Sequence, residues 1–281
     1  MRSKIIYSLC ISLFPFTTLC AQTEFSSNVV KDLPDNCWRW EYMKPGDLVD
    51  ALETVPVAYL VVSPLEWHAE AMVFGTDPII GTTIAEKAWL ETGGVMIPTL
   101  WIGTETEYHD FTETGYTPFW GMEWNTKEHN PGSLYISPVA FELLMRDMLS
   151  FIEKEGFKYC VVVTGHGAIE HLRVLGELEK QSEGRPMKIL FRENLKKIDY
   201  PEEIRFPGSG GHADFAEASV LGSVDPSLVD KDKFGKGERD RKVKILDENV
   251  GKIDYDKGWK SIEFRANRII ETVKAELATL E

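Results

Sequence analysis

Six acidic and imidazole side chains in this sequence have types and positions that suit cation binding. Carboxylates about 4 Å apart repel each other by roughly 4 kcal/mol at an effective dielectric constant near 20, so a cluster of them needs protons or a cation. Where imidazoles accompany them, mixed nitrogen and oxygen ligation suits zinc, manganese or iron. Each residue alone is better explained as a surface, capping or hydrogen-bonded residue, so the metal hypothesis depends on their convergence. They are Glu66, His68, Asp77, His166, His212 and Glu217.

Short apolar runs precede several of these residues and predict the strands that would position them. VAYLVVS (57–63) ends just before Glu66 and His68, and KYCVVVT (158–164) ends just before His166. Strands alternate with helical patterns along the chain, which indicates an α/β fold with a mostly parallel central sheet. In such a sheet ligands bind at the carboxyl ends of the strands. These distant segments can therefore meet in space.

The helical patterns place the other candidate residues. Ser137 is the expected N-cap and Gly156 the expected end of one helix. His212 and Glu217 are five positions apart, so we expect His212 in a glycine-rich loop and Glu217 on the first turns of the next helix. His171 is assigned to an exposed helix face, and residues 22–50 and 230–257 to irregular segments. Further strands are predicted over 95–101 and 187–192, and helices over 79–92, 138–155, 168–182, 214–223 and 258–280.

Composition and the N-terminal pattern limit the partners and the location. The formal net charge is −14 over 281 residues, which disfavours nucleic acid as a partner. Residues 1–21 have two basic residues, an apolar core and a small-residue end, which predicts a secretory signal peptide and a periplasmic or secreted protein with no membrane span. The residues before Cys20 do not fit a lipoprotein signal. Residues 22–281 are then expected to form a single domain, in which the pairing of Cys37 with Cys160 stays open.

Five motifs follow one another along the chain: EWHAEAMVFGTD (66–77), GTETEYH (103–109), PGSL (131–134), TGHG (164–167) and HADFAE (212–217). Together they resemble the motifs of the creatininase family of amidohydrolases. The first is similar to that family's E-x-H…T-D signature, and TGHG is similar to its NGHG segment. The resemblance covers about residues 55–230. It implies a three-layer α/β/α sandwich and a homo-oligomer, a hexamer in many relatives.

The resemblance also implies a reaction and assigns roles to the site residues. Two divalent ions, Zn, Mn or Fe, would activate a water that hydrolyses the C–N bond of a small amide, cyclic or linear. His212 would transfer the proton, and Asp77 would bridge the ions. Glu217 is grouped both with the catalytic residues and with the metal ligands. The full implied ligand set is Glu66, His68, Asp77, His166 and Glu217.

The sequence departs from the family pattern at several points. Ala168 stands where creatininase has a glutamate, so Glu217 would have to complete the second metal, and Phe215 stands where an acid is common. An apparent insertion over 112–130 is aromatic and is interpreted either as a lid over the cleft or as an interface loop. The residues expected to bind substrate are His109, Trp120 and Trp124. The alternative function is a secreted small-molecule-binding protein that keeps the fold without the chemistry.

The signal-peptide hypothesis makes a direct prediction. Chain recovered from its native host is expected to begin near Gln22, because the small residues around Ala21 favour cleavage there. Intact-mass measurement checks this. Full-length chain recovered from the cytosol would show the interpretation to be wrong.

Overall fold

A five-stranded parallel sheet lies at the centre of the described chain, in the order β1-β3-β2-β6-β7. The computed structural model describes residues 33–112, 115–191 and 200–280, with side chains left undescribed at 108–119 and 124–125. The expected signal peptide lies outside these ranges. The strands are β1 (Cys37–Arg39), β2 (Val57–Val61), β3 (Gly94–Met96), β4 (Glu107–Thr112), β5 (Gly115–Trp120), β6 (Tyr159–Val163) and β7 (Lys188–Leu190).

Helices cover both faces of this sheet. The two central strands, β2 and β6, are buried on both sides, which explains their continuous apolar sequences. The helices are α1 (Pro45–Thr54), α2 (Thr76–Thr92), α3 (Glu123–Thr126), α4 (Pro138–Glu155), α5 (Ile169–Gln181), α6 (Phe215–Val224), α7 (Glu238–Lys242) and α8 (Tyr255–Leu277). Among the described residues, none of these helices is long and apolar enough to cross a membrane.

The alternation of side chains along β2 divides the core into two clusters. Tyr59 and Val61 pack with α2, α6 and α8 on one face, while Ala58 and Leu60 pack with α1, α4 and α5 on the other. The sheet therefore lies between two helical layers, and the predicted three-layer α/β/α sandwich is confirmed.

The helix ends follow from local sequence. The Ser137 hydroxyl accepts the Ala140 N–H at 3.2 Å, and Gly156 ends α4 with φ +110°. Both positions were predicted. Helix α2 begins at Thr76, three residues earlier than expected, so Asp77 lies in its first turn rather than in the preceding loop.

Two segments expected to be irregular contain regular structure. Residues 37–39 form edge strand β1, paired in parallel with β3, and residues 45–54 form α1. The expected loop 230–257 includes α7 and a 3₁₀ turn over Asp247–Lys252. These elements are short, so tertiary pairing rather than their own periodicity determines them.

Residues of the insertion form a separate antiparallel hairpin. Strands β4 and β5 pair from Glu107 opposite Trp120 to Thr112 opposite Gly115. The chain then turns through α3, where the buried Glu123 carboxylate accepts the backbone N–H of Trp120 at 3.0 Å. Arg239 donates to the carbonyl oxygens of Glu128 and His129 and so fixes the end of the insertion to α7.

The two cysteines of the described chain are free and buried. Cys37 and Cys160 belong to different core clusters, on strands that are not neighbours in the sheet, so they cannot be bridged. Burial raises the pKa of the Cys37 thiol to about 11 and that of Cys160 to about 12. Both are therefore inert thiols rather than redox groups.

Candidate active site

Loops at the carboxyl ends of β2 and β6 meet the first turn of α2. The loop after β2 carries Glu66 and His68, and its start is closed by the Glu66 N–H donating to the Phe74 carbonyl at 3.0 Å. The loop after β6 carries His166. Gly165 is required here, because a Cβ at this position would lie 2.2 Å from the carbonyl oxygen of Asp77. The absence of a side chain lets His166 approach Asp77 directly.

Asp77 presents its two oxygens to two different imidazoles. Its Oδ2 lies 2.9 Å from His166 Nδ1, and Glu66 Oε2 lies 3.0 Å from the same nitrogen. Its Oδ1 lies 3.5 Å from His68 Nε2, and Glu217 Oε2 lies 3.6 Å from that nitrogen. The result is two groups of three potential ligands that share Asp77, and a third group that could also hold a cation joins Glu66, His68 and His212. The five sequence-predicted ligands therefore converge in space.

Backbone carbonyls orient both imidazoles. His68 Nδ1 lies 3.0 Å from the carbonyl oxygen of Glu66, and His166 Nε2 lies 3.1 Å from that of Thr104. We assign the donated proton to these nitrogens, which turns the other ring nitrogen of each toward the carboxylates. His68 Nε2 is buried and has no hydrogen-bond partner among the described residues. This is the arrangement expected of imidazoles that ligate a metal.

The electrostatics of the group favour positive charge. Burial opposes the charged form of His68, but the carboxylates of Glu217 and Asp77 outweigh it and raise the pKa well above its ordinary value. Burial likewise opposes charge on His166, yet Glu66 and Asp77 raise its pKa. Burial alone would raise the pKa of the Asp77 carboxyl, but the two imidazoles hold it well below its usual range. The cluster of carboxylates and imidazoles around Asp77 therefore favours bound protons or metal cations.

His212 lies in the predicted glycine-rich loop beside this group. Its Nδ1 is 3.9 Å from Glu66 Oε1, and its ring centroid is 4.8 Å from that of His68. The next residue, Ala213, has φ +52°, an unfavourable conformation that turns its N–H toward Glu217 Oε2, to which it donates. His212 thus lies in the loop and Glu217 in the first turn of α6, the placement that the sequence predicts, and both line the same cavity.

Asp214 organises the loop and was not identified from the sequence. Its Oδ2 accepts hydrogen bonds from the Ser209 hydroxyl at 2.7 Å and from the N–H groups of Gly210 and Gly211. Its Oδ1 accepts the Ala216 N–H at 2.8 Å and so caps α6. The sequence signal was an aspartate directly before a helix.

Tyr135 is a second residue that the sequence did not reveal. Its hydroxyl donates to Glu66 Oε1 at 2.8 Å, and its ring stacks between Trp120 and His166 at centroid distances of 5.9 and 6.4 Å. Burial and the nearby Glu66 carboxylate raise the pKa of the Tyr135 hydroxyl, which keeps it protonated as a donor. Tyr135 therefore fixes the oxygen of Glu66 that does not face His166.

The assignment of His171 to an exposed helix face is wrong. His171 is fully buried, with its ring 5.1 Å from that of His166 and stacked on Phe141 at 4.5 Å. Its Nδ1 accepts the Thr104 N–H at 3.4 Å, and its Nε2 lies 3.2 Å from the Thr164 hydroxyl. Burial, together with the charge of His166, lowers its pKa well below the ordinary value, so it is neutral. It supports the His166 loop.

A cavity of about 500 Å³ opens over the group. Its wall includes Gly121 and Met122 from the insertion, and also Ala168, whereas Trp120 stacks on Tyr135. The side chains of His109 on β4 and Trp124 on α3 lie outside the described part of the structure. The acidic and imidazole residues of the wall are Glu66, Asp77, Glu105, His166, His212 and Glu217.

Comparison with known proteins agrees with the motif resemblance. The sequence profile of the creatininase family, described as creatinine amidohydrolase, matches residues 41–268. The chain belongs to the creatininase family. No curated protein matches it by sequence at a significant level.

Solved structures show the same fold at low sequence identity. A crystal structure of creatinine amidohydrolase (creatininase) is 15% identical with a TM-score of 0.63, and the match covers 86% of this chain and 98% of that one. A zinc-zinc type of mutant creatininase has 16% identity and a TM-score of 0.64, over 85% of this chain and 97% of that one. A structure called creatininase Mn has 15% identity and a TM-score of 0.61, with coverages of 85% and 98%.

The structure explains the two positions, 168 and 215, at which this chain lacks an acidic residue of the creatininase-family pattern. Ala168 lies at the N-cap of α5 and lines the cavity, while Glu217, from α6, approaches His68. Phe215 is buried in the apolar core and packs edge-on against Phe206 at 6.3 Å. A charged side chain at position 215 would therefore have no place in this chain.

The role of Asp214 can be tested by substitution. Asp214→Ala is expected to lower the free energy of unfolding by about 1–2 kcal/mol, because α6 loses its N-cap. The loop that carries His212 also loses the carboxylate that accepts several of its hydrogen bonds. Urea denaturation measures the change. The control is Asp225→Ala, since the exposed Asp225 caps only the short turn Pro226–Leu228. In NMR spectra the His212 imidazole signals should shift with the first variant alone. Equal stability of Asp214→Ala and the unmodified protein would contradict this role.

Proposed function

We propose that the protein is a metal-dependent amidohydrolase that hydrolyses the C–N bond of a small amide at a site for two divalent ions. The observation that carries this proposal is the placement of the Asp77 carboxylate, with one oxygen directed toward each of two imidazole–carboxylate groups. A carboxylate shared in this way is the usual bridge of a two-metal site. Membership of the creatininase family supports the same reaction class.

The residues present fit such ions. The first ion would be held by Glu66, Asp77 and His166, and the second by His68, Asp77 and Glu217. Nitrogen and carboxylate oxygen donors suit zinc, manganese or iron, and zinc and manganese both occur in the names of related structures. Bound there, the ions would polarise the substrate carbonyl and lower the pKa of a water.

The chain's own residues supply orientation and proton transfer. His212 lines the cavity with 23% of its side chain exposed, and its buried Nε2 has no hydrogen-bond partner among the described residues. We therefore assign it the delivery of a proton to the departing nitrogen. Glu217 holds the turn at Ala213 through its hydrogen bond, so it positions His212 as well as serving as a ligand. Tyr135 keeps Glu66 in place from the opposite side.

Three further features belong to the same proposal. Gly121 and Met122 in the cavity wall support a lid function for the insertion 112–130. The substrate would be a small amide, cyclic or linear, and the protein a homo-oligomer, as the family resemblance implies. The alternative function, a non-catalytic binding protein, has less support. Such a protein would need no metal ions, whereas this chain has all three residues of each ligand group in place.

The bridge assignment gives a test based on metal content. Asp77→Ala is expected to lose both ions, because each group loses a ligand, whereas His68→Ala should keep about one ion per chain. Elemental analysis of protein loaded with zinc or manganese measures this, with circular dichroism as a check of folding. Glu91→Gln, exposed near the end of α2, is the control and should bind as the unmodified chain does. Two ions per chain in Asp77→Ala would refute the assignment.

The proton-transfer role is tested by kinetics. A screen of lactams, cyclic ureas and formamides with different divalent ions should first identify a substrate. His212→Ala should then retain its metal while the chemical step slows by roughly 10²–10⁴-fold, the usual contribution of general acid–base catalysis. His129→Ala is the control, because that imidazole is exposed. Full turnover by metal-loaded His212→Ala would identify another proton carrier.

A further inference from the structure

Glu105 is a fourth carboxylate in the cavity wall, and neither metal-ligand group includes it. Glu66, Asp77 and Glu217 would have their charges offset by the ions that they hold. Glu105 would hold neither ion. Among the described residues that line the cavity, no lysine or arginine lies opposite it. The wall thus presents one carboxylate that has no lysine or arginine beside it among the described lining residues; the nearest imidazole nitrogen, His166 Nε2, lies 3.7 Å from Glu105 Oε2.

The local structure fixes Glu105 in place and leaves one of its oxygens available. Its Oε1 accepts the Thr106 N–H at 2.6 Å. Its stem packs against Gly121, where a Cβ would lie 2.7 Å from Glu105 Cγ, so a side chain at position 121 would displace it. No described residue donates a hydrogen bond to its Oε2, and only 13% of the side chain is exposed. An acceptor held this rigidly and this far from bulk water suits recognition.

Glu105 could alternatively orient His166 by accepting a hydrogen bond from its Nε2, but the distances fit this second role less well. Glu105 Oε2 is 3.7 Å from His166 Nε2, which is beyond hydrogen-bond range. The proton of that nitrogen is already accepted by the Thr104 carbonyl at 3.1 Å. Glu105 is therefore not needed to orient the imidazole.

Resting on the proposed function, we propose that Glu105 is a specificity-determining residue that selects substrates carrying a cationic N–H group, such as an ammonium or amidinium, near the amide to be cleaved. A charge-assisted hydrogen bond to Oε2 would bind that group. The same charge would disfavour substrates with a carboxylate at that position, because two anions would then share a poorly solvated cavity. We therefore expect the cavity to bind basic amides more tightly than acidic amides.

Metal-binding hydroxamates of similar size test this without a known substrate. The probes are β-alanine hydroxamate, which is cationic, butanohydroxamate, which is neutral and nearly isosteric, and succinate monohydroxamate, which is anionic. Their dissociation constants would be measured by calorimetry on metal-loaded protein. We expect the cationic probe to bind about tenfold more tightly than the neutral one, and the anionic probe to bind most weakly.

Glu105→Gln separates recognition from structure. The amide oxygen can still accept the Thr106 N–H, so folding and metal content should be unchanged. The ratio of the constants for the neutral and cationic probes should fall about tenfold, toward one, while the neutral probe binds as before. Glu91→Gln removes one charge far from the cavity and should leave the ratio unchanged.

The other outcomes discriminate between the proposals. An unchanged ratio in fully metallated Glu105→Gln would overturn the specificity role and leave the proposed function standing. Loss of metal from Glu105→Gln would show instead that Glu105 supports His166, which also overturns this inference. If the unmodified chain takes up no metal, the proposed function fails and the inference fails with it.

Discussion

The arrangement of this site depends on the contact between the Asp77 carboxylate and two buried imidazoles. Carboxylates packed together at one end of a sheet repel each other strongly unless positive charge lies among them. Here His68 and His166 supply the neighbouring nitrogens, and backbone carbonyls fix their orientation. The fold contributes the close approach of two chain segments, which a side chain at Gly165 would prevent. Glu66 and Glu217 complete this charge balance, and Tyr135 holds Glu66 in place.

Much of this arrangement could be predicted because its signals are local. The runs at 57–63 and 158–164 predicted the two central strands, and three of the site residues, Glu66, His68 and His166, directly follow them. The helix beginning near residue 215 and its glycine-rich approach placed His212 and Glu217 correctly. The edge strand β1 escaped detection, because three paired residues at a sheet edge have no periodicity of their own.

The misplaced histidine shows where such reasoning fails. His171 shares a helical face with Val174, Leu175 and Leu178, so its spacing marked it as buried, whereas its polarity suggested exposure. Tyr135 carried no usable signal, because its contact with Glu66 joins segments 69 positions apart. Glu105 lies within the motif at 103–109, but the motif did not indicate which of its side chains enters the cavity. Tertiary hydrogen bonds of this kind become visible only once the three-dimensional structure is known.

The separation of the ligand residues along the chain has a consequence for folding. Glu66 and Glu217 are 151 positions apart, and both contribute to groups that share Asp77. An ion bound there would act as a crosslink that closes a very long loop, and its binding energy would add to the stability of the native state alone. The loops of the site already contribute buried apolar residues to the core, among them Trp67, Met72 and Ala213. The ion would add to this packing, and the protein's resistance to unfolding would vary with the free metal concentration around it.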